Sequence, residues 1–144
     1  MNHFANTVAI VSVLFFQLAI SPAWATDEDS LTQVEISHLL DGRQFYGQNG
    51  SVGESADHDN QLIFENGTFH STSCDAYGFE IHGYSATRDG DNIHFQATIF
   101  SEDHGKMVWA GTVSDDKLKA DFVWTKERWY WNTRREYWFD GKER

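Results

Sequence analysis

Glu80 and His82 are the pair in this sequence best placed to do chemistry. Two residues apart on an extended segment, they share one face at about 6.6–7 Å, close enough to couple titrations or to grip a polar group. No serine or cysteine is set beside them by sequence as a nucleophile, so the pair reads as a polar grip and no catalytic residue is assigned. Arg135 and Tyr137 repeat the spacing near the C-terminal end. If Tyr137 and Phe139 face inward, Arg135 joins them and reaches an acidic group. In the opposite phase Trp138 is buried and Arg135 is a surface charge, and the sequence leaves both phases open.

Metal-ligating types also gather, at Asp57-His58-Asp59, Cys74-Asp75 and Asp103-His104. Yet His70 and Cys74 lie about 13 Å apart along one strand, too far to share an ion. His58 and His104 meet only if their loops fold together, and no acidic stretch has the spacing of a calcium loop. No metal site and no cofactor are therefore assigned. Cys74 is the sole cysteine, so no disulfide forms within the chain, and it reads as a buried thiol.

The elements that must position these residues are announced by their turns. Asn66-Gly67, between Leu62-Ile63-Phe64-Glu65 and Thr68-Phe69-His70-Ser71, demands a type I′ hairpin. Asp89-Gly90 and Asp115-Asp116 predict two more. Strands are expected at Gln44 to Gly47, Leu62 to Glu65, Thr68 to Ser73, Phe79 to Thr87, Asn92 to Ser101, Lys106 to Val113, Lys117 to Thr125 and Tyr130 to Phe139. A series of hairpins without helical interruption leaves sticky edges unless it closes. The fold expected is therefore all-β, an antiparallel up-and-down barrel of about eight strands. A short helix from Leu31 to Leu40, capped by Ser30 and stopped at Asp41-Gly42, precedes it, with Leu39 and Leu40 closing one end.

Tight turns alternate with longer links, which puts the links Gln48–Gln61, Cys74–Gly78, Glu102–Gly105 and Lys126–Trp129 around one mouth. Counting outward from Asp115-Asp116 sets Val113 by Leu118, Gly111 by Ala120, Trp109 by Phe122 and Met107 by Trp124 on one apolar face. Counting from Asp89-Gly90 sets Ala86 by Ile93, Tyr84 by Phe95, His82 by Ala97 and Glu80 by Ile99. The floor half is thus bulky and apolar. The mouth half holds Ser71, Ser73, Glu80, His82, Met107 and Trp124, and the Gly111–Ala120 pair is expected to leave space midway. With Trp109, Phe122, Arg135 and Tyr137, these six are the candidate ligand-binding residues.

Composition bounds the rest. Met1 to Ala25 has an apolar run, Val8 to Ile20, ending in Ala23-Trp24-Ala25, and reads as a cleaved signal peptide, so the protein is expected to be secreted or periplasmic. Residues 26–144 then form a single domain stabilised by packing, with aromatic residues at 15% supplying much of the buried area. The net charge of −11 excludes nucleic acid as a partner. Membrane contact is not expected once the signal peptide is removed.

The meander, the preceding helix and the loop-rich end together resemble the calycins, the superfamily of lipocalins and fatty-acid-binding proteins. Gly42-Arg43-Gln44-Phe45 stands where lipocalins carry Gly-x-Trp, and Arg135-Glu136-Tyr137 looks like the Arg-x-Tyr with which fatty-acid-binding proteins hold a carboxylate. Leu40-Asp41-Gly42, Asn66-Gly67-Thr68-Phe69, Ser71, Cys74, Gly78-Phe79 and Tyr137-Trp138-Phe139 are also similar to an uncharacterised secreted bacterial family, which implies no activity. The function expected is binding of a small, largely apolar molecule in the barrel. The alternative is an acidic cell-envelope protein that binds or inhibits a basic protein partner through its mouth loops.

Overall fold

Eight strands follow one another in the computed structural model, which describes residues 38–144, with one 3₁₀ turn between the third and the fourth. They are β1 (Gln44–Ser51), β2 (His58–Glu65), β3 (Thr68–Ser71), β4 (His82–Asp89), β5 (Asn92–Ser101), β6 (Gly105–Ser114), β7 (Lys117–Lys126) and β8 (Thr133–Glu143). Each pairs antiparallel with the next, and β8 returns to β1, so the sheet closes as an up-and-down barrel. The signal peptide expected at Met1–Ala25 and all but the last three residues of the expected helix lie outside the described residues. His38–Leu40, which end that segment, form a turn.

Residue chemistry explains the turns. Asn66 and Gly67 both take positive φ, 52° and 73°, the demand of a type I′ link, and Phe64 lies opposite Phe69 as their position requires. The Asp115-Asp116 register also holds, with Met107 by Trp124 and Trp109 by Phe122. The β4–β5 turn is a correction: Asp89 pairs with Asn92, so Gly90 and Asp91 form the bend and Tyr84 faces Ala97 instead of Phe95. Gly90 has φ of 59° at the first central position, where a II′ turn wants glycine, and this won over the Asp-Gly alternative. Because partners slipped by two, the inward face was unchanged.

Strand ends differ more. β1 and β2 run far into the expected mouth link, pairing as far as Asn49 with His58. β3 stops at Ser71, where Thr72–Tyr77 wind into a 3₁₀ helix that turns Cys74 inward. β8 starts at Thr133, so Trp129, Tyr130 and Trp131 belong to the β7–β8 link and are exposed.

The core fills the floor. Phe64 is its hub, with ring centroids 6.1 Å from Phe45, 5.4 Å from Phe69, 5.0 Å from Tyr84 and 4.9 Å from Phe95. Leu40 is fully buried beneath, so this end is closed as expected of Leu39 and Leu40. The space expected at Gly111–Ala120 is absent: a β-carbon on Gly111 would lie 2.5 Å from the Phe95 ring, which occupies that gap. Outward positions on the same strands, such as Thr112, Lys119, Ala110 and Asp121, face water in line with the alternation.

Candidate functional site

At the mouth end the core gives way to a cavity of about 390 Å³. Its lower wall is a column of near-parallel rings. Trp109 stacks on Phe122 at 3.8 Å and 16°, and Phe122 on Tyr137 at 5.0 Å and 12°. Trp109 is wholly buried at the base, whereas Tyr137 is half-buried and lines the cavity. Met107 and Trp124 add a second apolar wall from β6 and β7, and Phe79 and Cys74 close a third from the β3–β4 link.

Local contacts fix these walls. The Trp124 indole N–H donates to the His104 carbonyl at 2.6 Å, tying β7 to the β5–β6 link. Buried Asn60 on β2 holds the 3₁₀ segment: its Nδ2 donates to Ser71 Oγ at 3.0 Å, and its Oδ1 accepts from the Ser73 N–H at 3.0 Å. Cys74 Sγ sits 3.6 Å from Met107 Sδ. Burial pushes the Cys74 thiol up, which favours its protonated form at neutral pH.

The sequence-derived candidates divide by depth. Ser73, Met107, Phe122, Trp124, Arg135 and Tyr137 all line the cavity. The open phase of β8 is thereby decided: Phe139 and Tyr137 turn inward, Arg135 follows them to the rim, and Trp138 lies on the outer face, its indole N–H directed at the Ser51 and Glu54 carbonyls. Ser71 and Trp109 are packed below the cavity. Glu80 and His82 do not join it, and their expected inward position is corrected. Both are exposed, the Glu80 N–H donating to the Phe100 carbonyl and the His82 ring meeting Phe100 on the outer surface. The 3₁₀ winding shortens the path over the barrel end and turns Phe79 inward. Residues 80 and 81 are left outside, and β4 meets β3 over only two residue pairs.

Asn49, Ser51, Tyr77 and Phe79 line the cavity but were not among the binding candidates read from the sequence, and Asp57, His58 and His104, weighed there only as metal ligands, line it too. Asn49 had a usable signal, for Phe45, Gly47 and Asn49 alternate on β1, but the polar run after Gly47 reads as a loop. Among the described residues no group of three or more His, Cys, Asp and Glu is arranged to hold a metal ion. None of their helices is long and apolar enough to cross a membrane. A larger concavity, about 910 Å³, lies on the outer face over Gln96, Ala110, Asp121 and Trp138, but it is the open saddle of the twisted sheet, walled by outward polar side chains.

No protein-family model, curated protein or solved structure matches this chain. Function therefore rests on the site's own chemistry.

Proposed function

We propose that this chain is a calycin-like binding protein, secreted or periplasmic, that reversibly holds one small, largely apolar molecule at the mouth of its barrel. The observation that carries the reading is the cavity of about 390 Å³, walled by Phe79, Met107, Phe122, Trp124 and Tyr137 with Arg135 at its rim. Its size falls in the range of roughly 300–1,000 Å³ typical of small-molecule sites, and its aromatic and apolar walls are joined by polar groups from Asn49, Ser51, Asp57, His58, Ser73, His104 and Arg135. Burying about 200 Å² of apolar ligand surface supplies on the order of 5 kcal/mol before the costs of association, which supports micromolar or weaker, exchangeable binding. Arg135, with Asp57 and His58 in the same lining, favours a ligand with a polar end.

Trp124 lies in the cavity wall and Trp109 stacks directly behind the lining ring of Phe122, so occupancy is expected to change tryptophan emission. Titration with medium-chain fatty acids, retinoids and porphyrins is expected to give saturable quenching by at least one class. A panel that yields only linear, non-saturating quenching counts against the proposal.

A second reading has its own support in the exposed acidic side chains of the mouth links, among them Glu54, Asp57, Asp75, Glu102 and Asp103. They suit a basic protein partner, whose capture from envelope extract should weaken as salt rises. Salt-independent capture, or none at low salt, sets this reading aside.

A further inference from the structure

Three buried side-chain atoms among the described residues have no hydrogen-bond partner: Asn49 Oδ1, His104 Nδ1 and Trp109 Nε1. Two of the three belong to residues that line the mouth cavity, and the third sits in the ring column that forms its base. Buried polar atoms are nearly always paired, so their concentration at one cavity calls for an explanation. Asn49 is the sharpest case. Its residue is only 7% exposed, it faces the cavity, and its carbonyl oxygen is aligned with nothing in the protein.

We infer that the cavity is shaped for a planar aromatic molecule bearing a hydroxyl, its ring continuing the Trp109–Phe122–Tyr137 column and its hydroxyl donating to Asn49 Oδ1. The inference rests on the binding proposal above and names the ligand class. Tyr137 ends the column at the cavity, and the ring of a guest is the group that best extends a parallel stack. Asn49 lies opposite Phe139 and Ser51 opposite Tyr137, so Asn49 stands one inward step along β1, about 6.7 Å, deeper than the strand position that carries the last ring of the column. That offset is about the length of two fused rings. An alkyl chain reaching the same depth would leave Asn49 Oδ1 stranded in an apolar contact, and it would lose more conformational freedom than a rigid ring does. His104 Nδ1, contributed by the β5–β6 link across the barrel from β1, offers a second unpaired atom to a substituent nearer the mouth.

The test compares 2-naphthol, naphthalene and decanoate by isothermal titration calorimetry on the purified chain, its Asn49→Leu variant and its Tyr137→Leu variant. The wild-type chain is expected to bind 2-naphthol about tenfold more tightly than naphthalene. Asn49→Leu should remove that preference by weakening 2-naphthol alone, and Tyr137→Leu should weaken both aromatics while leaving decanoate unchanged. Equal wild-type affinities for 2-naphthol and naphthalene overturn the inference, as does decanoate binding more tightly than either. Both comparisons need only the unmodified chain, so they stand if a variant fails to fold. If none of the three compounds nor the lipid and porphyrin panel binds, the binding proposal itself fails. If only the panel binds, the proposal survives and this inference does not.

Discussion

Asn60 and Asp41 show how single polar side chains set the two ends of the barrel. At the mouth end, Asn60 is 5% exposed and joins Ser71, Thr72 and the Ser73 N–H, so it fixes the 3₁₀ segment that carries Cys74 and Phe79 to the cavity. Asn60→Ala leaves those groups without partners and is expected to lower the unfolding free energy by about 2 kcal/mol in urea titrations, while also weakening cavity binding. Unchanged stability would mean that water replaces the amide without loss. At the floor, Asp41 accepts from the Gly67 N–H at 2.9 Å and from the Tyr84 hydroxyl at 2.9 Å, and meets His38 Nδ1 at 2.5 Å. Burial pushes its carboxyl up, but the bonds from His38, Gly67 and Tyr84 outweigh that and hold it below its ordinary value of 3.8. Burial first, then the Asp41 carboxylate, raise the Tyr84 phenol. A carboxyl depressed in the folded state contributes stability that is present above its unfolded pKa and lost as pH falls through the folded one. The melting temperature is therefore expected to fall more steeply in the wild type than in Asp41→Asn as pH drops below the ordinary carboxyl value of 3.8. Parallel acid limbs would assign the loss to other carboxylates.

Closure of the sheet depends on the seam between β1 and β8, and that seam depends on Gly47. A β-carbon there would lie 2.1 Å from the Asp140 carbonyl oxygen and 2.4 Å from the Gly141 Cα, both backbone atoms that a rotamer change cannot move. Gly47→Ala is expected to cost about 3 kcal/mol or more, measured by chemical denaturation, because the strands must part where they close the barrel. A variant as stable as the wild type would show that the seam has slack. Gly47 also marks where the sequence stops being easy to read. The hairpins were legible because Asn66-Gly67 can adopt few other conformations and because apolar residues alternate cleanly through β5, β6 and β7. The β4–β5 bend was placed one residue early because Asp89-Gly90 and Gly90-Asp91 both make acceptable hairpin turns, and only the sheet chooses between them. The extent of β1 and β2 was not legible, since Gln48 to Gln61 is polar on both faces and its pairing comes from backbone bonds, with Gln48 bonded to Asp59 outside. For the site, strand alternation carried Met107, Phe122 and Trp124 to the cavity wall, whereas Arg135 and Tyr137 hung on a phase of β8 that the sequence left open. It failed at Glu80 and His82, where the chain winds at Thr72–Tyr77 and leaves the two-residue period behind.

Across the whole molecule, pairing is uneven, and the weakest junction borders the cavity. β5–β6 and β7–β8 each share ten residue pairs and β6–β7 shares nine, whereas β3–β4 shares two. A closed barrel with a solid floor opens at least cost where the ladder is shortest, and here that lies beside the 3₁₀ segment that walls the cavity. The proposed guest would enter there, because the chain beyond the two-pair ladder, with Cys74 and Phe79, can move while Phe69 and Tyr84 keep their rings against Phe64. Native-state hydrogen exchange is therefore expected to show the amides of β3 and of residues 72–82 opening at lower free energy than those of β5, β6 and β7. A bound ligand should raise protection at the first set and leave the second unchanged, since a guest closes that seam and adds nothing to strands already opening only with global unfolding. Equal protection of β3 and β6 amides would make the barrel uniformly rigid. Entry would then be confined to the gap among the mouth loops, and exchange of ligand should be insensitive to substitutions along β3.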